Sequence, residues 1–411
     1  MLIVNADDFG LHQTASDNII KCFDQRMVSK RSQRIQELVA SQPHMTHHRQ
    51  LRHLQDLAVG SHHSGQLPAW KLVLETLMTE GFLDAVFATS TVAAGVNFPA
   101  RTIVFFNSDR FNGREFIPLG PTEFHQMTGR AGRRGMDQIG FALTVPGKFM
   151  DIRRMAKLMT SPPAAVESQI KINFSMVLNL LLSHTPDQIK ALLLKSFANY
   201  SRAEERKHRG LPMPHKNEHE PIWKDFLTYL GFLKKTGYAT TNGTLTHDGI
   251  WASQLRVDQP LMISEGFRRG IFPETDPALL AALIAMFVYE RDADGTIQKR
   301  FKPNILLNAF NKAKKKLEPF AAKMEKDGFD VRPLLLQPAA TIYAWSNGQP
   351  WDHVRSIAEM EEGDLAMLIL RTADNLRHIR SLRRVFPEAA KTAAAAIDII
   401  MRPPVVFDYD N

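Results

Sequence analysis

The sequence contains a single cysteine, Cys22, so no disulfide can form within the chain. So little cysteine is typical of a reducing compartment, and we expect a cytoplasmic protein. No stretch is long and apolar enough to cross a bilayer, and the first residues lack the basic start and apolar run of a signal peptide. We therefore expect no membrane partner.

Two nucleotide-binding motifs are also missing. No Gly-x-x-x-x-Gly-Lys-Ser/Thr phosphate loop occurs, because Gly147 and Lys148 are followed by Phe149 and lack the upstream glycine. No Asp-Glu-x-His or Asp-Glu-x-Asp box follows an apolar strand. Such a loop holds the β- and γ-phosphates of ATP, and such a box holds magnesium. We therefore expect these 411 residues, when alone, to bind nucleotide weakly and to hydrolyse it poorly.

What the sequence does contain favours a globular protein that meets nucleic acid. Its 411 residues are enough for two or three domains, and its apolar share of 44% is ordinary for a globular chain. The net charge of +8 leans toward a nucleic-acid partner without proving one.

Residues 126–135, which read QMTGRAGRRG, carry the most specific pattern. Arg130 and Arg133 are three residues apart beside glycines, which let a backbone approach a ligand closely. The paired donors of arginine fit phosphate oxygens. If the turn stays helical, Gln126, Arg130 and Arg133 share one face. The pattern predicts a site for the phosphate of a nucleotide or a nucleic acid, and the alternative is a solvated basic loop.

Upstream, residues 87–100 read FATSTVAAGVNFPA and follow a predicted strand. Together the two stretches resemble motifs V and VI of superfamily-two helicases, in the form found in superkiller-type DExH-box RNA helicases. The resemblance extends from about residue 57 to the C-terminus. In that family both motifs belong to the second of two RecA-like domains, and the members of the family use ATP to unwind RNA from 3′ to 5′.

The resemblance implies roles for individual residues. Thr89 and Thr91 would contact the nucleic-acid backbone. Arg130 and Arg133 would be the catalytic pair, acting as arginine fingers on the γ-phosphate. The implied nucleotide-binding set is Gly95, Asn97, Gln126, Arg130 and Arg133.

An Asn-Gly pair at Asn112 and Gly113, flanked by alternating apolar residues, predicts a β-hairpin. A hairpin at this place in the family helps to separate strands, which implies that Phe111 and Phe116 stack on bases. The alternative is a surface hairpin with no role. Residues 62–65, HHSG, also match a family signature, which implies a contact on the nucleic-acid side or a structural turn.

Strands predicted at 57–59, 84–88, 101–106 and 141–145 alternate with helices. This alternation indicates an α/β domain with a parallel, doubly wound sheet. Ligands bind at the carboxyl ends of the strands in such sheets. We therefore expect motifs V and VI at one edge of the sheet, in a RecA-like domain over residues 57–160.

After that domain the periodicity is helical. Helices predicted at 174–183, 186–200 and 223–236 precede a strand–turn–strand wing over 237–246, which predicts a winged-helix region at 161–260. A polar loop is expected between the second and third of these helices.

The remaining residues, 261–411, resemble the C-terminal helical bundle of the same helicases. The resemblance implies that Arg371 and Arg377 lie along the nucleic-acid channel. The alternative is that both arginines lie on a solvated helix face.

Residues 1–29 differ from the rest. Residues 2–4 predict a short strand, and Asp7 and Asp8 follow it. This start resembles YdjC-type carbohydrate deacetylases, which implies that Asp7 is a general base and Asp8 a metal ligand. The alternative is a fused fragment that contributes one strand and a helix over 15–25.

Residues 30–56 are basic and predict polar helices with a thin apolar stripe, that is, a solvated helical arm. A zinc site is the alternative for the histidines in this segment, which are His44, His47, His48 and His53.

Three functions therefore compete. The first is a helicase whose site for ATP and Mg²⁺ is completed by a separate chain that carries the phosphate-loop domain. The second is an ATP-independent remnant that binds RNA or DNA. The third is a metal-dependent carbohydrate deacetylase acting through Asp7 and Asp8.

Overall fold

The architecture comes from a computed structural model of the chain, which divides into two compact units. The first unit contains Met1–Ala165 with Glu362–Asp364, and the second contains Val166–Glu361 with Leu365–Asn411. The residues that the structure describes are 2–5, 25–40, 43–46, 48–89, 100–112, 115–133, 135, 137–208, 221–288 and 303–406.

A parallel sheet forms the centre of the first unit. The strands are β1 (Leu2–Asn5), β2 (Val59–His62), β3 (Ala85–Ala88), β4 (Thr102–Phe105), β5 (Asp109–Phe111), β6 (Phe116–Pro118) and β7 (Phe141–Thr144). Five of them pair in parallel in the order β2-β3-β1-β4-β7, and β5 and β6 form a separate antiparallel hairpin. The predicted parallel sheet and the predicted strand at the N-terminus are confirmed.

The N-terminal strand lies in the middle of the sheet, where Val4 is paired with Phe87 on one side and Val104 on the other. Strand β2 begins two residues later than predicted. Leu57 still belongs to the preceding helix, and Ala58 ends that helix in a left-handed conformation with a φ of 53°.

The helices of the first unit cover the sheet and its connections. They are α1 (Gln25–Ala40), α2 (Leu51–Leu57), α3 (Pro68–Thr79), α4 (Pro121–Thr128) and α5 (Ile152–Thr160). Pro68 and Pro121 begin their helices, where the missing N–H of proline leaves no hydrogen bond unmade. Trp70, Leu74 and Leu77 on α3 are fully buried.

The segment predicted as a solvated arm is packed instead. Ile35 and Leu54 are 0% exposed and Val39 is 4% exposed, because α1 packs against α2 and α3. Arg31 is also buried, and its Nε and one terminal nitrogen donate to the Gln55 carbonyl at 3.2 and 2.8 Å. A thin apolar stripe is enough to bury the segment when the polar groups beside it are hydrogen-bonded.

The second unit is mostly helical. Its helices are α6 (Phe174–Leu181), α7 (Pro186–Leu194), α8 (Phe197–His208), α9 (Pro221–Lys235), α10 (His247–Ala252), α11 (Pro260–Arg268), α12 (Pro277–Ala285), α13 (Asn304–Lys326), α14 (Leu336–Ser346), α15 (Trp351–Ala358), α16 (Glu362–Ser381, with Glu362–Asp364 assigned to the first unit) and α17 (Pro387–Ile400). One apolar core extends from α6 to α17.

Two helix boundaries in this unit differ from the prediction. The helix expected over 186–200 is broken, because the Ser196 hydroxyl accepts a hydrogen bond from the Asn199 N–H and starts a new helix, α8. Helix α8 then continues to His208, into residues that the pattern predicted as loop.

The predicted wing is reduced to a single bridge between Ala239 and Leu245. The Thr240 N–H donates to the Thr244 carbonyl at 2.8 Å, and Gly243 turns the chain with a φ of +85°. The turn is so tight that the two segments form no further bridge. An α/β unit followed by a mostly helical region agrees with the predicted fold class at this level. Among the described residues, no helix combines the length and apolar character needed to span a membrane.

Phe226 and Leu227 are neighbours in α9 with opposite surroundings, since Phe226 is 0% and Leu227 is 37% exposed. Phe226→Ala is expected to lower the free energy of unfolding by about 3–5 kcal/mol, because a buried ring is lost and a cavity remains. Leu227→Ala should change it by less than about 1 kcal/mol. Urea denaturation followed by tryptophan fluorescence measures the free energy of unfolding of both variants. An equal loss of stability in the two variants would contradict this packing.

Candidate functional site

The loop after α4 is held by its backbone to the residue that precedes β4. The Ala100 N–H donates to the Arg130 carbonyl at 3.0 Å, and the Gly132 N–H donates to the Ala100 carbonyl at 2.6 Å. Ala100 is the last residue of the motif V stretch, and Arg130 and Gly132 belong to motif VI. The two motifs are therefore joined directly by main-chain hydrogen bonds.

A close approach by Gly140 completes this junction. A Cβ on Gly140 would lie 2.5 Å from the Ala131 carbonyl carbon and oxygen and from the Gly132 nitrogen. Real Cβ atoms do not come so near to backbone atoms, so only glycine fits at this position. The loop of motif VI is thus packed between Ala100 and Gly140.

Gln126, Arg130 and Arg133 were expected to share one face only if the turn stays helical, and that condition is not met. Helix α4 ends at Thr128, so Gln126 lies on the helix while both arginines follow its end. Gly132 has a φ of +87°, which directs the chain away from the helix axis. The hydrogen bonds to Ala100 replace the next helical turn.

Arg133 is held by a carboxylate that the pattern did not single out. Its Nε donates to Asp137 Oδ2 at 2.8 Å, and one terminal nitrogen donates to Oδ1 at 2.9 Å. The Arg133 N–H also donates to Asp137 Oδ2 at 2.9 Å. These hydrogen bonds hold the pKa of the Asp137 carboxyl well below its usual range and raise the pKa of Arg133. The ion pair fixes one edge of the guanidinium, and the other edge faces away from Asp137.

The two motifs do not lie together at one edge of the sheet, contrary to the prediction. β3 and β4 both run parallel to β1, with Ala85 and Thr102 opposite Leu2. Thr89 therefore follows the carboxyl end of β3, whereas Ala100 precedes the amino end of β4. Because motif VI is bonded to Ala100, its backbone lies at the amino ends. The two described residues at the ends of the motif V stretch, Thr89 and Ala100, therefore lie at opposite ends of the sheet.

The predicted hairpin is confirmed, and it follows β4 at the carboxyl ends of the strands. Phe111 of β5 is opposite Phe116 of β6. The two rings are 5.3 Å apart between centroids, and they are 46% and 55% exposed. The Asn112 N–H donates to the Glu115 carbonyl at 3.0 Å across the turn. Exposed aromatic rings at a hairpin can accept stacked bases, and their role stays a prediction.

The first of the paired histidines, His62, is the last residue of β2. His62 is buried, its Nε2 lies 3.3 Å from Glu75 Oε1, and burial lowers the pKa of its imidazole. The turn that follows β2 contacts the start of α16, where the Gly363 N–H donates to the Gly65 carbonyl at 3.0 Å. A Cβ on Gly363 would collide with the Ser64 carbonyl. This signature therefore packs against another segment of the first unit.

The histidines of residues 30–56 also have structural surroundings. The His48 ring is stacked on Trp70 at 3.6 Å between centroids. His44 is half-buried, and burial lowers its pKa. His53 is exposed, and His47 lies outside the described residues. Within the described part of the chain, no three His, Cys, Asp or Glu side chains form a group that could hold a metal.

Several predicted site residues lie outside the part of the chain that the structure describes. They are Asp7, Asp8, Thr91, Gly95 and Asn97. In the second unit, Arg371 and Arg377 are both exposed on α16, and an Arg377 terminal nitrogen lies 3.4 Å from Asp374 Oδ1. Their predicted place along a nucleic-acid channel stays a prediction.

Known proteins that are similar to this chain include two that are named as helicases. Residues 242–408 match the DSHCT (NUC185) domain. The probable helicase HelY of Mycobacterium tuberculosis is 40% identical over 142 residues, 34% of this chain and 16% of that protein. Superkiller complex protein 2 of Mus musculus is 31% identical over 217 residues, 52% of this chain and 17% of that protein. The exosome RNA helicase MTR4 of Homo sapiens is 41% identical over 123 residues, 30% of this chain and 12% of that protein.

The chain matches the C-terminal portion of superkiller-type DExH-box helicases. The matched segments span only 12 to 17% of the length of these relatives. Neither the domain match nor these superkiller-type relatives support the resemblance of residues 1–29 to carbohydrate deacetylases.

Gly140→Ala tests the junction of the two motifs, and Gly147→Ala is its control because nothing lies within 4 Å of a Cβ there. Overpacking at Gly140 should cost about 1–3 kcal/mol and displace the loop. We expect the Gly132 amide proton, which is bonded to Ala100, to exchange at least about five times faster in Gly140→Ala. Hydrogen exchange resolved by residue measures this rate. Unchanged exchange in Gly140→Ala would show that the junction is not tightly packed.

Proposed function

We propose that this chain forms the RNA-binding and arginine-bearing part of an ATP-dependent RNA helicase of the DExH-box class. The observation that carries the proposal is the pair of backbone hydrogen bonds between Ala100 and the loop of residues 130–132. These bonds bring together two motifs that a helicase needs in one domain. The names of two relatives, a superkiller complex protein and an exosome RNA helicase, favour RNA as the nucleic acid.

Within this proposal the parallel sheet belongs to the second RecA-like domain, over residues 57–160. Residues 161–260 form a winged-helix region, for which the bridge between Ala239 and Leu245 is the shortened wing. Residues 261–411 form the family's helical bundle. Residues 1–29 add the central strand β1, and residues 30–56 pack beside the sheet.

The nucleotide side of the proposed site lies at the junction of the two motifs. Arg133 acts as an arginine finger whose orientation is set by Asp137, because a bidentate ion pair fixes the plane of the guanidinium. Arg130 and Gln126 face the same nucleotide, and Gly95 and Asn97 shape the loop beside it. An arginine finger stabilises charge on the γ-phosphate only when other groups hold that phosphate.

The groups that hold the phosphates and the magnesium are supplied from outside these 411 residues. ATP and Mg²⁺ would bind with a phosphate-loop domain that a separate chain supplies. Mg²⁺ bound there neutralises charge on the β- and γ-phosphates. This chain contributes the oriented arginines.

The nucleic-acid side lies at the carboxyl ends of the strands. Thr89 and Thr91 contact the RNA backbone there, and Phe111 and Phe116 stack on its bases. In the second unit, considered by itself, Arg371 and Arg377 of α16 also contact RNA. A cytoplasmic location suits the single cysteine.

A second candidate, ATP-independent binding of nucleic acid, is favoured by one feature of the sequence, the lack of a phosphate loop. Both candidates require RNA binding. They differ in whether an added phosphate-loop domain makes binding depend on ATP.

The double variant Phe111→Ala/Phe116→Ala should weaken binding of a labelled single-stranded RNA by at least about tenfold, because each base stacked on an aromatic ring contributes about 1–3 kcal/mol. Fluorescence anisotropy at several salt concentrations measures this affinity. The matched control is Phe197→Ala/Tyr200→Ala, which removes two rings of similar exposure, 48% and 61%, from the second unit. Absence of RNA binding by the unmodified chain would contradict both candidates.

A further inference from the structure

A third exposed phenylalanine lies at the end of the sheet where the hairpin begins. Phe149 follows the carboxyl end of β7, the strand that is paired with β4. Its side chain is 56% exposed, and Lys148 Nζ lies 5.2 Å from the centre of its ring. An exposed aromatic ring beside a cation is a combination of side chains that single-stranded nucleic acids can bind.

The backbone of Phe149 is fixed to the base of the hairpin. The Ser108 N–H donates to the Phe149 carbonyl at 3.1 Å, and the Ser108 hydroxyl donates to the same carbonyl at 3.3 Å. The Asp151 N–H in turn donates to the Ser108 hydroxyl oxygen at 3.1 Å. Ser108 is 3% exposed, so these bonds are shielded from water. The turn that carries Phe149 is therefore held in place even though its side chain is exposed.

Ser108 also fixes where Phe149 lies relative to the hairpin rings. The Leu119 N–H donates to the Ser108 carbonyl at 2.9 Å, so Ser108 closes the hairpin at its base. Phe111 is three residues further along the strand, a distance of about 10 Å. Phe111, Phe116 and Phe149 are thus three exposed rings attached to one rigid base.

The local charge favours an anionic occupant. Lys148 is exposed and forms no ion pair with the residues that the structure describes. The nearest acidic residue in the sequence, Asp151, is engaged, because its Oδ1 accepts from the Arg154 N–H at the start of α5 at 3.0 Å. A positive charge beside a flat apolar ring fits a nucleotide, which has both a phosphate and a base.

We propose that Phe149 and Lys148 form a further contact for single-stranded RNA, with the Phe149 ring stacked on a base and the Lys148 ammonium on the adjoining phosphate. This inference rests on the RNA binding proposed above. It extends the nucleic-acid side of the site from the hairpin to the turn after β7. The contact is independent of ATP.

The test compares variants of Phe149 with a matched control on the same strand. Phe141 is 44% exposed and lies at the opposite, amino end of β7. Phe149→Ala and Phe149→Leu should each raise the Kd for a fluorescein-labelled single-stranded RNA about five- to a hundredfold, since both remove the aromatic ring. Phe149→Tyr should bind like the unmodified chain, and Phe141→Ala should have no effect. Lys148→Gln should weaken binding and lower the dependence of Kd on salt.

The outcomes separate this inference from the proposal it rests on. If the hairpin variant weakens RNA binding but Phe149→Ala does not, the inference is overturned and the proposed function stands. If Phe149→Leu binds normally, or Phe141→Ala weakens binding equally, base stacking at Phe149 is also overturned. If the unmodified chain binds no RNA, both fail together.

Discussion

Two backbone hydrogen bonds at Ala100 are the constraint on which the candidate site depends. They join Ala100, at the amino end of β4, to the loop after α4, and they are possible only because Gly140 has no side chain there. The junction is made by main-chain atoms, so its two hydrogen bonds use none of the arginine side chains beside it. Asp137 orients the guanidinium of Arg133. Pairing removes water from the Asp137 carboxylate, and the two hydrogen bonds to Arg133 offset that loss of solvation.

The described loops at the two ends of the sheet carry different kinds of side chain. The loops at the amino ends carry the arginines, and the loops at the carboxyl ends carry the exposed rings of Phe111, Phe116 and Phe149.

Local patterns in the sequence predict much of this arrangement. Apolar runs between helices predict the parallel strands, and the Asn112-Gly113 pair predicts the hairpin, because each signal depends on neighbouring residues only. The end of α4 was not predictable in this way. Gln126, Arg130 and Arg133 have helical spacing, and the pairing with Ala100 that ends the helix comes from residues far away in the sequence.

Other features escaped prediction for the same reason. The stripe of residues 30–56 appeared too thin to be buried, yet α3 covers it. Asp137 stands four residues beyond Arg133 without a motif to mark it, and only the bidentate geometry identifies it. Phe149 follows Lys148 in the sequence without a motif to mark it, and only its contacts with Ser108 connect it to the hairpin.

The most direct test of the central claim is ATP hydrolysis by the purified chain with single-stranded RNA, alone and after fusion to the phosphate-loop domain of a superkiller-type helicase. The account predicts no turnover above background for the chain alone. It predicts turnover for the fusion that Arg133→Ala reduces by a factor on the order of a thousand or more, as for other arginine fingers. RNA-stimulated turnover by the chain alone, or turnover of the fusion that survives Arg133→Ala, would contradict it.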